Sequence, residues 1–195
     1  MTKRIVFEGI WGSNLEKFTE RFVATSDFHF DRVKVGIAPA PFGGLKNWVY
    51  ALTQNMENWK ESEGIVLHER SVWSSYYYAS ALVNSDELAQ AEIDLFKNMA
   101  VSLSELNALP DIIVYFHSIP KIAQANLEAS QSICAELGVD SLMKVSKSMI
   151  EGIEDMQSQG VKVLEIAPEF DNFENWFSYA ENLILEALNG VMDGD

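Results

Sequence analysis

The apolar positions of this chain switch repeatedly between the period of a strand and the period of a helix. Residues 3–7, Lys-Arg-Ile-Val-Phe, form a short β-branched and aromatic run that predicts a buried strand. Leu15, Phe18, Phe22 and Val23 then recur at helical spacing and predict a helix over 14–24. Phe28, Phe30, Val33 and Val35 alternate, so 28–37 reads as a second strand. "APAPFGG", 38–44, breaks regular structure, and Trp48, Leu52, Met56 and Trp59 predict a helix over 45–60. "GIVLH", 64–68, is a third strand, followed by a tyrosine-rich helix over 71–83. Asn84 with Glu87 forms a capping box for a longer helix bearing Leu88, Ala91, Leu95, Met99 and Leu103 on one face. Pro110 stops that helix, and "DIIVYF", 111–116, has the continuous apolar pattern of a strand covered on both faces.

Pro120 opens a helix expected to turn Ile122, Ala125, Ala129 and Ile133 inward. A further helix fills 140–159 and ends at Gly160; residues 161–166 make a last strand. Asp171 with Glu174 caps the final helix, with Phe173, Phe177, Ala180, Ile184 and Leu188 facing inward. Short apolar strands separated by helices predict an α/β three-layer sandwich around a five-stranded parallel sheet. No repeat or linker divides the chain, so 1–195 reads as one domain, with 190–195 as a frayed tail.

Composition narrows the function classes. Hydrophobic residues are 48% and charged residues 22% of the 195, enough apolar content for a packed core. The formal net charge of −15, with no basic stripe to offset it, excludes a general nucleic-acid binder. Any phosphate site must therefore be locally basic. The single cysteine, Cys134, builds neither a disulfide framework nor a zinc cluster, and His29, His68 and His117 lie on three separate strands. No metal site is expected. The N-terminus is too short in apolar residues for a signal peptide, and no run reaches the ~20 residues of a spanning helix. A cytoplasmic protein without a membrane partner is the expectation.

In doubly wound sheets ligands bind at the carboxyl ends of the strands. Here those ends read "EGIWGSNLEK", "APAPFGG", "HERSVWSSYYYA" and "FHSIP". Together they resemble the deoxynucleoside kinase and thymidylate kinase superfamily of P-loop proteins. Glu69-Arg70-Ser71 resembles the family's E-R-S motif, whose acid and arginine hold the sugar hydroxyl and the phosphoryl region. Residues 110–120, "PDIIVYFHSIP", resemble the strand leading to the lid, and "APFGG" resembles the E-P-G-G loop. The resemblance implies a P-loop nucleoside kinase-like fold over nearly the whole chain. It also implies a nucleoside or nucleotide ligand, with Trp48, Glu69, Arg70 and Tyr76 binding the substrate and Gly9, Gly12, Ser13, Asn14 and Glu16 forming the phosphate loop.

Against the family pattern G-x-x-G-x-G-K-S/T, three supports of phosphoryl transfer are absent. Leu15 stands at the lysine and Glu16 at the Mg²⁺-binding hydroxyl. A carboxylate ~4 Å from a phosphate oxygen repels it by about 1–4 kcal/mol, depending on screening. The acid that follows strand two in the family is replaced by Ala38 and Ala40. From His117 to Gly160, where the lid arginines belong, there is no arginine, only Lys121, Lys144 and Lys147.

Several features keep two readings. Gly9 and Gly12 serve as a strand-to-helix turn or keep some phosphate contact. Glu69 and Arg70 form an internal ion pair or a nucleoside-binding pair. Tyr76, Tyr77, Tyr78 and Trp73 pack in the core or stack a base. Lys17 points the wrong way along its helix to replace the lysine. The expectation is a degenerate kinase-like protein without efficient transfer, acting as a binding, regulatory or structural subunit. It needs no cofactor and pairs as a homodimer or with another protein. The alternative is an active deoxynucleoside or deoxynucleotide kinase using ATP and Mg²⁺, with Glu16 on the metal and Glu69 and Arg70 catalytic.

Overall fold

Five parallel strands lie in the order β2-β3-β1-β4-β5 in the computed structural model, which describes residues 2–34, 49–50, 53, 64–71, 73–82, 94–95, 98, 102, 109–169 and 172–192. The elements are β1 (Lys3–Gly9), α1 (Leu15–Thr25), β2 (Phe30–Lys34), β3 (Ile65–Glu69), α2 (Ser74–Leu82), β4 (Ile112–Phe116), α3 (Pro120–Ala129), a 3-10 turn (Ile133–Leu137), α4 (Gly138–Ser158), β5 (Lys162–Ile166) and α5 (Phe173–Met192). The predicted three-layer α/β architecture and all-parallel sheet are present. Most of the expected helices over 45–60 and 84–109 lie outside the described residues.

Strand pleating sorts the central side chains into two layers. Ile5, Phe7, Ile112, Val114 and Phe116 pack under α1 and α5 with Phe18, Phe22, Trp176 and Phe177. Val6, Ile113 and Tyr115 point the other way, under α2, α3 and α4, with Tyr77, Tyr78, Leu142, Val145 and Met149. Every residue of β4 is buried, as its uninterrupted apolar run predicts for a strand covered twice. Both edge strands carry exposed charges: Asp31 and Lys34 on β2, Lys162 and Glu165 on β5. Gly152 lets α4 come close to α2, since a Cβ there would strike the Tyr77 ring.

Four local expectations change. The inward face of α3 is Ala123 and Leu127; Ile122, Ala125 and Ala129 are exposed. Two buried residues four apart suffice because α3 is short and its other flank borders solvent. Cys134 lies in the 3-10 turn and is half-buried. The following helix begins at Gly138 instead of 140. At α5 the cap is Asn172, whose Oδ1 accepts from the Asn175 N–H at 3.0 Å; Asp171 lies outside the described residues. Trp176, absent from the expected face, is almost fully buried and donates its indole N–H to the Ala167 carbonyl at 2.8 Å.

Candidate functional site

β1 sits mid-sheet between β3 and β4, so successive connections leave its carboxyl end in opposite directions. That is the topological switch point, where such sheets bind ligands. Residues 10–14 occupy it. Gly12 takes φ +80°, and a Cβ there would land on the Ala123 carbonyl of α3. Asn14 is also left-handed, at φ 60°. Two amides strap the loop down. Asn126 Nδ2 donates to the Gly12 carbonyl at 2.8 Å, and Asn14 Nδ2 donates to Glu169 Oε2 at 2.7 Å. The Ser13 hydroxyl, buried beside Gly9, has no hydrogen-bond partner among the described residues.

The three residues after Asn14 are committed elsewhere. Leu15 is 3% exposed and packs in the layer under α1 and α5. The Glu16 carboxylate accepts from Lys34 Nζ of β2 at 2.7 Å, and that hydrogen bond holds its carboxyl below the usual range. Lys17 places its ammonium 3.6 Å above the Phe173 ring centroid. Lys121 and Lys144 on α3 and α4 are exposed, and Lys147 pairs with Glu151 at 3.7 Å. An ATP–Mg²⁺ complex needs a cation over the loop and a hydroxyl for the metal. Of residues 13–17, only the orphaned Ser13 hydroxyl fits that need, and none supplies a cation over the loop.

Glu69 ends β3 and Arg70 follows it, adjacent but not paired to each other. Arg32 Nη2 donates to Glu69 Oε2 at 2.5 Å, a contact set up by parallel register that places Lys34 beside Glu69. Arg70 adopts φ 76°, rare for a side-chain-bearing residue. Its N–H donates to the Phe7 carbonyl at 2.8 Å, and its Nη1 donates to the Gly9 carbonyl and to the Tyr78 hydroxyl, the latter at 3.2 Å. Trp11 leans on Tyr78 with ring centroids 3.9 Å apart. Tyr77 and Tyr78 are core residues, as is Trp73. Tyr76 falls on α2, with its side chain outside the described part, and Trp48 lies outside the described residues.

Glu8 is the residue sequence reasoning missed. It is 0% exposed, and Oε1 accepts from the Ser71 N–H and from Ser74 Oγ, both at 2.7 Å. Burial pushes its carboxyl above the ordinary value despite these donors and nearby Arg70. The available signal was a carboxylate directly after the apolar run 5–7 of a central strand. His68, buried mid-strand in β3, has its imidazole pushed down to about 4 by burial and by Arg4. His117 pairs with Glu165 at 2.6 Å. Among the described residues no group of three or more metal-ligating side chains exists, and no helix is long and apolar enough to cross a membrane.

Neither a family profile nor a curated protein matches the chain. Solved structures do. Deoxyadenosine kinase from M. mycoides with bound dATP superposes with a TM-score of 0.72 at 16% identity, covering 95% of this chain and 99% of that one. The same kinase with bound dCTP gives 0.72 at 14% identity, over 96% and 99% of the two chains. With dCMP and a flexible dCDP it gives 0.70 at 16%, again over 96% and 99%. The chain therefore has the fold of the P-loop deoxynucleoside kinases.

Proposed function

We propose that this chain is a nucleoside- or nucleotide-binding protein of the deoxynucleoside kinase fold that does not carry out efficient phosphoryl transfer. It serves as a binding, regulatory or structural subunit, as a homodimer or with another protein. The observation that carries this reading is the fate of residues 15–17: Leu15 is in the core, Glu16 is tied to Lys34 and Lys17 covers Phe173. Phosphoryl transfer is catalysed by positioning and positive charge, and no cation of this segment reaches the loop.

The other half of the fold's ligand site is better supplied. Arg70 reaches the Gly9 carbonyl and Tyr78, on which Trp11 leans, Glu69 precedes it in the chain, and the structurally similar kinases hold dATP, dCTP and dCMP. Those residues support binding of a deoxynucleoside or its monophosphate. Thermal shift with deoxyadenosine, deoxycytidine, dCMP and ATP–Mg²⁺ tests this. A nucleoside or monophosphate shift, removed by Arg70→Ala and unaccompanied by an ATP shift, is the expected result. An ATP–Mg²⁺ shift abolished by Glu16→Ala would instead favour an active kinase with a remodelled loop.

A further inference from the structure

Three consecutive residues of β1 grip the turn that carries Arg70. The Phe7 carbonyl accepts the Arg70 N–H, the Glu8 carboxyl accepts the Ser71 N–H, and the Gly9 carbonyl accepts the Arg70 guanidinium. Ser74 Oγ, in the first turn of α2, lies within donating distance of both Glu8 oxygens, at 2.7 and 2.8 Å. Ser74 Oγ also accepts from the Ser71 N–H, at 3.2 Å; of the three β1 residues Glu8 alone grips with its side chain, and its location is costly. With Val6 it points into the layer under α2, near Trp73, Tyr77, Tyr78 and Tyr115. The titratable and charged groups around it are Arg70, Tyr78 and Tyr115.

A fully buried carboxyl does not improve such a layer. Apolar replacements of similar volume at buried ionic sites are often neutral or stabilising. Arg70 in turn holds a left-handed backbone that L-residues avoid, and such outliers persist where the surroundings over-determine them. Without the Glu8 acceptor, the buried Ser71 N–H would lose its 2.7 Å bond and keep only the longer one to Ser74 Oγ, at 3.2 Å. Residues 70 and 71 would then gain by relaxing towards an ordinary conformation, taking the guanidinium with them.

We infer that Glu8 is a positioning residue of the candidate site: through Ser71 and Ser74 it locks the left-handed turn that keeps Arg70 over the loop for its ligand. This deepens the binding reading proposed above and rests on it. Glu8 touches no ligand and acts through Arg70.

The test uses Glu8→Leu and Glu8→Gln in the full chain, with dCMP and deoxyadenosine as probes. Glu8→Leu is expected to melt within a few degrees of the parent or above it, to show Arg70 out of the left-handed region in a crystal structure, and to bind the responding probe about 10- to 100-fold more weakly. Glu8→Gln keeps an acceptor for the Ser71 N–H and should bind within about threefold of the parent. A merely structural glutamate would lose stability in Glu8→Leu without this rescue pattern in affinity. Should Glu8→Leu fail to fold, Ser74→Ala removes one anchor and should weaken binding by about threefold or more. Unchanged affinity in the folded variant, or Arg70 still left-handed over Gly9 without the carboxyl, would overturn the inference. If the parent binds neither probe, the binding reading falls, and the conformation of Arg70 in Glu8→Leu still decides the positioning role.

Discussion

Restoring the missing charges to the loop is the most informative perturbation. The double substitution Leu15→Lys with Glu16→Ser returns the lysine and the hydroxyl of the kinase pattern. Its costs and gains follow from the present partners of both residues. Leu15 is 3% exposed, so removing its side chain from the core forfeits about 2–3 kcal/mol of apolar burial. A lysine stem recovers part of this only if the ammonium emerges at the loop. Losing the Glu16–Lys34 pair, whose side chains are 66% and 53% exposed, costs less than about 1 kcal/mol. At 195 residues each kcal/mol is worth roughly 2–4 °C, so the variant should melt roughly 4–12 °C lower. Each of the two charge changes is worth about 1–4 kcal/mol at ~4 Å, so roughly 2–8 kcal/mol together, or from about 30-fold to on the order of 10⁶ in ATP–Mg²⁺ affinity. Calorimetric titration of the folded double variant should therefore show ATP–Mg²⁺ binding that the parent lacks, still without turnover, because the acid near Ala38–Pro41 and the lid arginines remain absent. A correctly folded variant that gains less than tenfold would refute charge deficit as the reason ATP is excluded.

Other consequences are simpler to measure. Gly12→Ala places a methyl on the Ala123 carbonyl at a positive φ, and urea denaturation should show a loss of about 2–4 kcal/mol. Trp176→Ala vacates a nearly buried indole and its bond to Ala167, for about 3–5 kcal/mol by the same method. His68 is neutral in the fold with its pKa lowered from 6.5 to about 4, so its contribution is complete above pH 6.5 and is lost as pH falls towards 4. That loss amounts to about 3 kcal/mol, and His68→Leu should flatten the stability profile over this window. Glu8 has the opposite sign. With a raised folded pKa, its contribution is complete below 4.5 and is lost as pH rises through the raised value, so Glu8→Gln should remove a falling limb.

The fold was readable because its elements carry strong periods. The DIIVYF run predicts β4 to within one residue, and Leu15, Phe18 and Phe22 predict the buried stripe of α1. The inward face of α3 was not, since Ile122 and Ala125 are as apolar as Ala123 and Leu127 and only the neighbouring helices choose between them. Within the site, that Leu15 carries no cation and Glu16 no hydroxyl is plain from residue type alone. What those residues do instead is not. Glu16 of α1 meets Lys34 of β2 across 18 positions, through helix-on-sheet packing, and Glu69 meets Arg32 across 37, between paired strands β2 and β3; no local pattern encodes either. Glu8 is the extreme case, because its partners Ser71 and Ser74 lie more than 60 residues away.

The central claim is that the kinase fold is retained while phosphoryl transfer is not. Incubation of the unmodified chain with γ-labelled ATP–Mg²⁺ and a panel of deoxynucleosides and their monophosphates, at enzyme concentrations above those of the label, tests it most directly. The account predicts no labelled nucleotide above the protein-free background with any acceptor. Stoichiometric transfer to one acceptor, lost in Glu69→Gln or Arg70→Ala, would contradict it.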